Sequence, residues 1–148
     1  MSSKNPSPSE INDLIDLFSN NSFKEALVKI KNLEKIYPSE PIIKNIKGAC
    51  FEGLEEFDNA INSYEEAISI DSENFKAYFN LARVMEQLER FEDALDFYKK
   101  SIQINSKFVE AHNNLGNLLR GMSFLDEARK SFETAISFVL PTDLEKLT

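Results

Sequence analysis

Few side chains in this 148-residue chain stand in a pattern that could do reactive chemistry, and the polar residue type that stands out is asparagine. There is one histidine, His112, and one cysteine, Cys50. A nucleophile or acid–base catalyst needs positioned partners, and no Cys/His metal-ligand spacing, phosphate-cradling glycine loop or nucleophile elbow accompanies these two residues. No catalytic residue, cofactor or metal is therefore expected, and Cys50 reads as a small buried hydrophobe. Asparagine is different: Asn80 and Asn114 lie 34 residues apart, Asn12 falls on the same interval with Ile46 interrupting it, and Asn113 and Asn117 add a second row. An amide that both donates and accepts can hold the backbone of an extended peptide with little regard for its side chains. The candidate peptide-binding set is Asn80, Asn113, Asn114 and Asn117, with Lys76, Phe79 and Arg83 beside them.

The elements that must position these amides are helices. Ser7, Pro8 and Glu10 supply a cap, a first-turn proline and a third-position acid, so a helix is predicted to begin there. It carries Ile11, Leu14, Ile15, Leu17 and Phe18 on one face and should stop at Ser19-Asn20-Asn21. Ser22 and Glu25 predict a second capping box and a helix from about Phe23 to Ile36, with Ala26, Leu27, Ile30 and Leu33 inward and Pro38 and Pro41 bracketing the next break. Steps of 34 from Ala26 give Ala60, Ala94 and Ala128, and steps from Phe23 give Phe57, Phe91 and Leu125. Ile30 leads to Tyr64, Tyr98 and Phe132; Leu17 leads to Phe51, Met85 and Leu119; Ile36 leads to Ile70, Ile104 and Phe138. A repeat of this length predicts hairpins that bury their apolar faces by stacking on their neighbours.

Composition limits the partners. With 42% hydrophobic and 28% charged residues the chain suits a packed domain, and four glycines and five prolines leave little for the turns of an all-β fold. A net charge of -8 argues against non-specific binding to nucleic acid or anionic membrane. One cysteine closes no intramolecular disulfide, the N-terminus has no apolar signal region, and no window reaches the roughly 18 apolar residues of a spanning helix. A cytoplasmic location is expected.

These columns resemble the tetratricopeptide repeat family. The matching residues are Tyr78, Leu81, Ala82, Met85, Ala94, Tyr98 and Ser101 in one repeat and His112, Leu115, Gly116, Leu119, Ala128, Phe132 and Ala135 in the next. The resemblance implies an all-α fold, a right-handed α-solenoid of about four stacked helix-turn-helix units at residues 7–40, 41–74, 75–108 and 109–142. A flexible tail over 1–6 and the start of an incomplete helix over 143–148 would flank them. Gly48, Ala82 and Gly116 are expected to face the alanine column of the second helices, and His112, in a column the family fills with an aromatic, to pack or cap. Lys44 and Lys47, and Glu10 and Asp13, depart from the pattern and place their first helices less securely.

The function implied is a non-enzymatic scaffold that holds an extended peptide or partner segment in a concave groove. The asparagines are similar to the ladder in the arrays attached to O-GlcNAc glycosyltransferases, so one alternative is a substrate-recruiting array of a transferase whose catalytic part follows residue 148 or is a separate chain. Another is a homodimer through the uncapped fourth hairpin, whose outer apolar face should be exposed. A carboxylate clamp of the chaperone-docking kind, placed from the second repeat on, would match Asn80 but find Asn45, Ala49, Glu110 and Asn114 where Lys, Asn, Lys and Arg are expected. Among first-helix charges, Lys44, Lys47, Lys76, Arg83 and Arg120 oppose Glu52, Glu86 and Glu110. A groove suited to a neutral or mildly acidic peptide is expected, turning acidic near Glu10, Asp13 and Asp16.

Overall fold

The computed structural model describes residues 5–139, and among them the secondary structure is entirely helical: α1 (Pro8–Ser19), α2 (Phe23–Ile36), α3 (Pro41–Gly53), α4 (Phe57–Ile70), α5 (Phe75–Gln87), α6 (Phe91–Ile104), α7 (Val109–Gly121) and α8 (Leu125–Val139). Of the expected N-terminal tail only Asn5 and Pro6 are described, both outside any helix. The helix start expected after Pro141 lies outside the described residues.

The 34-residue interval is written into the backbone as well as the side chains. Asn21, Glu55, Glu89 and Ser123 each take a left-handed conformation, with φ of 59°, 59°, 58° and 68°. The next residue's N–H then reaches back to a carbonyl in the last turn of the first helix: Ser22 to Leu17 at 2.8 Å, Glu56 to Phe51 at 2.9 Å, Arg90 to Met85 at 2.8 Å and Phe124 to Leu119 at 2.8 Å. This closure satisfies orphan carbonyls and turns the chain into the second helix. None of the four residues is glycine, so each turn carries the steric cost of a left-handed side chain, about 1–2 kcal/mol.

That turn displaces one predicted cap. Ser7 caps α1, its Oγ accepting the Glu10 N–H at 3.2 Å. Glu10 does not reciprocate; its carboxylate accepts a hydrogen bond from the Tyr37 hydroxyl at 3.4 Å. Ser22 makes no side-chain cap bond to α2. Its backbone is held at φ -84° and ψ 55° by the turn closure, and it contributes its carbonyl to Ala26 N–H at 3.0 Å instead.

Two compact units divide the chain after Asn80. In the first, α1 packs on α2 and α3, α2 on α3, and α3 on α4. Leu14, Ala26, Ile30, Leu33, Tyr37, Ile43 and Cys50 form a buried cluster there, and burial pushes the Cys50 thiol up to about 11. In the second unit, α6 packs on α7 and α7 on α8 around Leu118, Leu119, Ala128 and Ala135. Phe124, Leu125, Ile136, Phe138 and Val139 of the fourth helix pair are exposed.

The atoms nearest to Gly48 and Gly116 belong to the aromatic column of the second helices. A Cβ on Gly48 would stand 2.5 Å from the Tyr64 ring, and one on Gly116 2.7 Å from the Phe132 ring. The ring needs the missing side chain's volume. Twelve residues before each ring sits a matched partner. Glu52 accepts the Tyr64 hydroxyl at 2.9 Å, Glu86 accepts that of Tyr98, and Arg120 lies 6.0 Å from the centroid of the hydroxyl-free Phe132. An acid meets each phenol and a cation meets the bare ring, as hydrogen bonding and the ring quadrupole require.

Lys44 and Lys47 do not weaken α3. Lys44 is 8% exposed, yet its ammonium pairs with Glu34 of α2 and, at 2.9 Å, with Glu66 of α4, while Lys47 pairs with Glu34 at 2.9 Å. Burial alone would raise the Glu34 carboxyl, but the hydrogen bonds from Lys44 and Lys47 hold it below its ordinary value. Burial would lower Lys44, but its hydrogen bonds to Glu34 and Glu66 hold it above its ordinary value.

Candidate functional site: an apolar and a polar cleft

Five of the seven expected site residues, Lys76, Asn80, Arg83, Asn114 and Asn117, line two depressions. In the first unit, α1, the start of α3 and the α4–α5 connection enclose an open cleft of about 490 Å³. Its floor is apolar, built from Ile15, Phe18, Ile42, Ile46 and Ala49, and Asn45, Asn74, Lys76 and Asn80 stand on its wall. Ile15, Phe18 and Ile42 are 43%, 37% and 41% exposed, so three large apolar side chains of one cleft face water. Such clustering marks a binding surface more often than scattered exposure does. The Asn45 amide donates to Asn74 Oδ1 at 3.2 Å, and that oxygen also takes the Ala77 N–H at 3.1 Å at the start of α5. Asn45 Oδ1 is buried and accepts no hydrogen bond from the described residues.

Ile15 and Phe18 are therefore cleft residues and not core, although the sequence puts them on the face that carries Leu14. Ile42, Asn45, Ile46 and Ala49 also line this cleft, and the asparagine pattern does not reach them. The signal available was breadth: Ile11, Leu14, Ile15, Leu17 and Phe18 cover a wider arc of α1 than one packed stripe needs. Asn12 is exposed and lines neither cleft. The acidic end expected from Glu10, Asp13 and Asp16 is displaced too. Asp13 pairs with Lys29 at 3.2 Å and lines, with Asp16, a different depression against α2, while Glu10 turns to Tyr37. The acids on the apolar cleft are Glu40 and Asp71.

In the second unit, Arg83, Glu86, Gln87, Tyr98, Asn114 and Asn117 line a polar cleft of about 270 Å³. The hydrogen bonds within it have fixed directions. The buried Tyr98 hydroxyl donates to Glu86, and burial with that acidic partner pushes the phenol well above its ordinary value. Having spent its proton, the hydroxyl oxygen accepts from Asn114 Nδ2 at 3.5 Å. Arg120 donates to Asn117 Oδ1 at 3.2 Å, so Asn117 turns its Nδ2 hydrogens elsewhere. Phe79, half-buried, and Asn113, exposed, line neither cleft.

The first-helix charges are also redistributed. Lys44, Lys47 and Glu52 are engaged with other side chains away from both clefts, which leaves Lys76 on the first cleft and Arg83 on the second. His112 is 8% exposed; since a carbonyl only accepts, its Nε2 carries a hydrogen to Ser106 O at 2.8 Å, and its ring lies 5.9 Å from that of Phe138. It packs and caps. Among the described residues, no three His, Cys, Asp or Glu side chains are placed to hold a metal, and no helix is long and apolar enough to cross a membrane.

Comparison with known proteins agrees with this architecture. The family model described as TPR repeat matches residues 54–89 and 87–122, so tetratricopeptide repeats are recognised in the middle of the chain. Among solved structures, a crystal structure of MamA is similar with a TM-score of 0.73 and 23% identity, over 89% of this chain and 80% of that one. YrrB, a TPR protein with an unusual peptide-binding site, is similar with a TM-score of 0.69 and 23% identity, over 90% and 69%. The second TPR of Spaghetti (RPAP3), bound to the HSP90 peptide SRMEEVD, is similar with a TM-score of 0.63 and 22% identity, over 66% and 91%. The fold is therefore the all-α tetratricopeptide class expected. No curated protein matches the chain by sequence. The likeness to glycosyltransferase arrays receives no support from these comparisons.

Proposed function

We propose that this chain is a non-enzymatic protein-interaction module whose apolar cleft holds an extended segment of a partner protein by an aliphatic or aromatic side chain. The observation that carries the reading is the convergence of Ile15, Phe18 and Ile42, all more than a third exposed, on one cleft. A side chain seated among them would remove that surface from water, worth roughly 25 cal/mol per Å². Asn45, with its buried acceptor, and Asn80 and Lys76 on the wall would engage the main chain on either side of the anchor. That the fold's solved examples include YrrB and the Spaghetti domain, both described with peptide sites, supports the reading.

The test is a random-peptide display selection against the whole chain, repeated with the double variant Phe18→Asp, Ile42→Asp. Both positions are exposed, so the fold should survive. Enriched peptides should share a large apolar residue and lose at least about tenfold in affinity for the variant, the order expected when the cleft wall against an apolar anchor is replaced by carboxylates that the anchor would desolvate. Peptides that bind parent and variant alike would sink the assignment of the cleft.

A further inference from the structure

The polar cleft of the second unit asks for a ligand of different chemistry. Glu52 and Glu86 stand 34 residues apart and each accepts a tyrosine hydroxyl, but Glu86 has an unmet need: its Oε1 is buried and accepts no hydrogen bond from the described residues. A buried carboxylate oxygen without a donor is costly and calls for one. The other groups decide which. Asn117 has its oxygen engaged by Arg120 and offers N–H, while Asn114 has turned its own N–H to Tyr98. Arg83 and Glu86 contribute one positive and one negative charge to the lining, which favours neither a cation nor an anion.

We infer that this cleft binds a neutral amide, with the ligand's N–H directed to Glu86 and its carbonyl to the Asn117 amide. The group would be either the carboxamide of an Asn or Gln side chain or a main-chain peptide unit. A terminal carboxylate is excluded, because it would bring no donor to Glu86 and would add a second negative charge beside it. The site is independent of the apolar cleft, and either assignment can fail alone.

The experiment is a ¹H–¹⁵N titration of the full chain with four small probes: acetamide, N-methylacetamide, N,N-dimethylacetamide and acetate. Saturable shifts of the Asn114 and Asn117 side-chain amides with acetamide or N-methylacetamide, and none with the N–H-free dimethyl compound or with acetate, are expected. Acetamide ahead of N-methylacetamide assigns the cleft to a side-chain carboxamide, and the reverse order assigns it to the main chain. Glu86→Gln, whose oxygen can still take the Tyr98 hydrogen but whose NH₂ then meets the probe's donor, should weaken binding about tenfold or more. Asn117→Asp, exposed and still able to accept from Arg120, should do the same. Equal shifts from the dimethyl compound, a stronger response to acetate, no saturable shift from either N–H probe, or an unchanged titration in both variants would overturn the inference.

Discussion

The two units use one hairpin design to opposite ends. In the first, the residues left over from core packing are Ile15, Phe18 and Ile42, and they meet in an apolar cleft; in the second the corresponding surface carries Arg83, Glu86, Asn114 and Asn117. The buried interiors differ at particular places. The first unit sets a charged cluster, Lys44 with Glu34 and Glu66, between its helices, and each unit buries a tyrosine of the ring column, Tyr64 in the first and Tyr98 in the second, while Phe132 of the last hairpin is half-buried. The packing around Phe132 has room to yield that the packing around Tyr64 lacks.

The widest gap between the units should appear when a charge is removed. Glu34→Ala leaves Lys44, 8% exposed, facing Glu66 alone with Lys47 beside it, and should cost about 3 kcal/mol. Arg90→Ala breaks an exposed pair and should cost less than about 0.5 kcal/mol. Urea denaturation with hydrogen exchange read separately in α2–α4 and α6–α8 measures both. Comparable losses would mean that the buried cluster contributes no more than a surface pair. The cluster also makes the first unit sensitive to acid. Glu34 titrates below its ordinary 4.5 in the folded chain, so its contribution is present above that value and lost as pH falls through the folded one. Lys44 titrates above 10.5, so its contribution is full below that pH and lost as pH rises through the folded value. Glu34→Gln should flatten the acid limb of stability in α2–α4 and leave α6–α8 unchanged.

A single methyl tests the packing difference. In Gly48→Ala the new Cβ meets the Tyr64 ring at 2.5 Å, and that ring is fully buried with its hydroxyl tied to Glu52 at 2.9 Å, so it has nowhere to go. Overpacking of this kind costs about 1–3 kcal/mol. In Gly116→Ala the clash with Phe132 is 2.7 Å, but the ring is half-buried and can swing toward solvent. There the helix-propensity gain of alanine over glycine, about 1 kcal/mol, should offset most of the loss. Thermal denaturation of the two variants giving equal shifts would remove the distinction between a locked and a yielding ring.

The fold was legible because its determinants are local and repeated. An alanine on the second helix and the turn at Asn21, Glu55, Glu89 and Ser123 recur every 34 residues, a glycine stands against a ring in two of the hairpins, and each acts within its own hairpin. The clefts were less so. Ile15 and Phe18 follow the same helical period as Leu14, and only the placement of α3 and the α4–α5 connection decides that Leu14 is covered and they are not. Lys44 looked like a break in the pattern because its partners, Glu34 and Glu66, are contributed by two other helices. Of the asparagines, Asn80 belongs with apolar neighbours and Asn114 with Tyr98, a division that spacing alone does not reveal.

The smallest expected effects bear on what the two units share. If they differ only in side chains while their turns are built alike, relieving the left-handed residue should act equally on both. Glu55 and Glu89 hold φ of 59° and 58°, and their N–H groups bond to Glu52 O at 2.9 Å and Glu86 O at 3.0 Å. Replacing either by glycine removes a steric cost of about 1–2 kcal/mol. It adds back about 0.5–1 kcal/mol of chain entropy. Glu55→Gly and Glu89→Gly should each therefore be neutral or stabilising, by no more than about 1 kcal/mol. A loss at one position and a gain at the other would place the difference between the units in the backbone as well as in the clefts, because only a strained or differently supported turn responds with opposite sign to the same change.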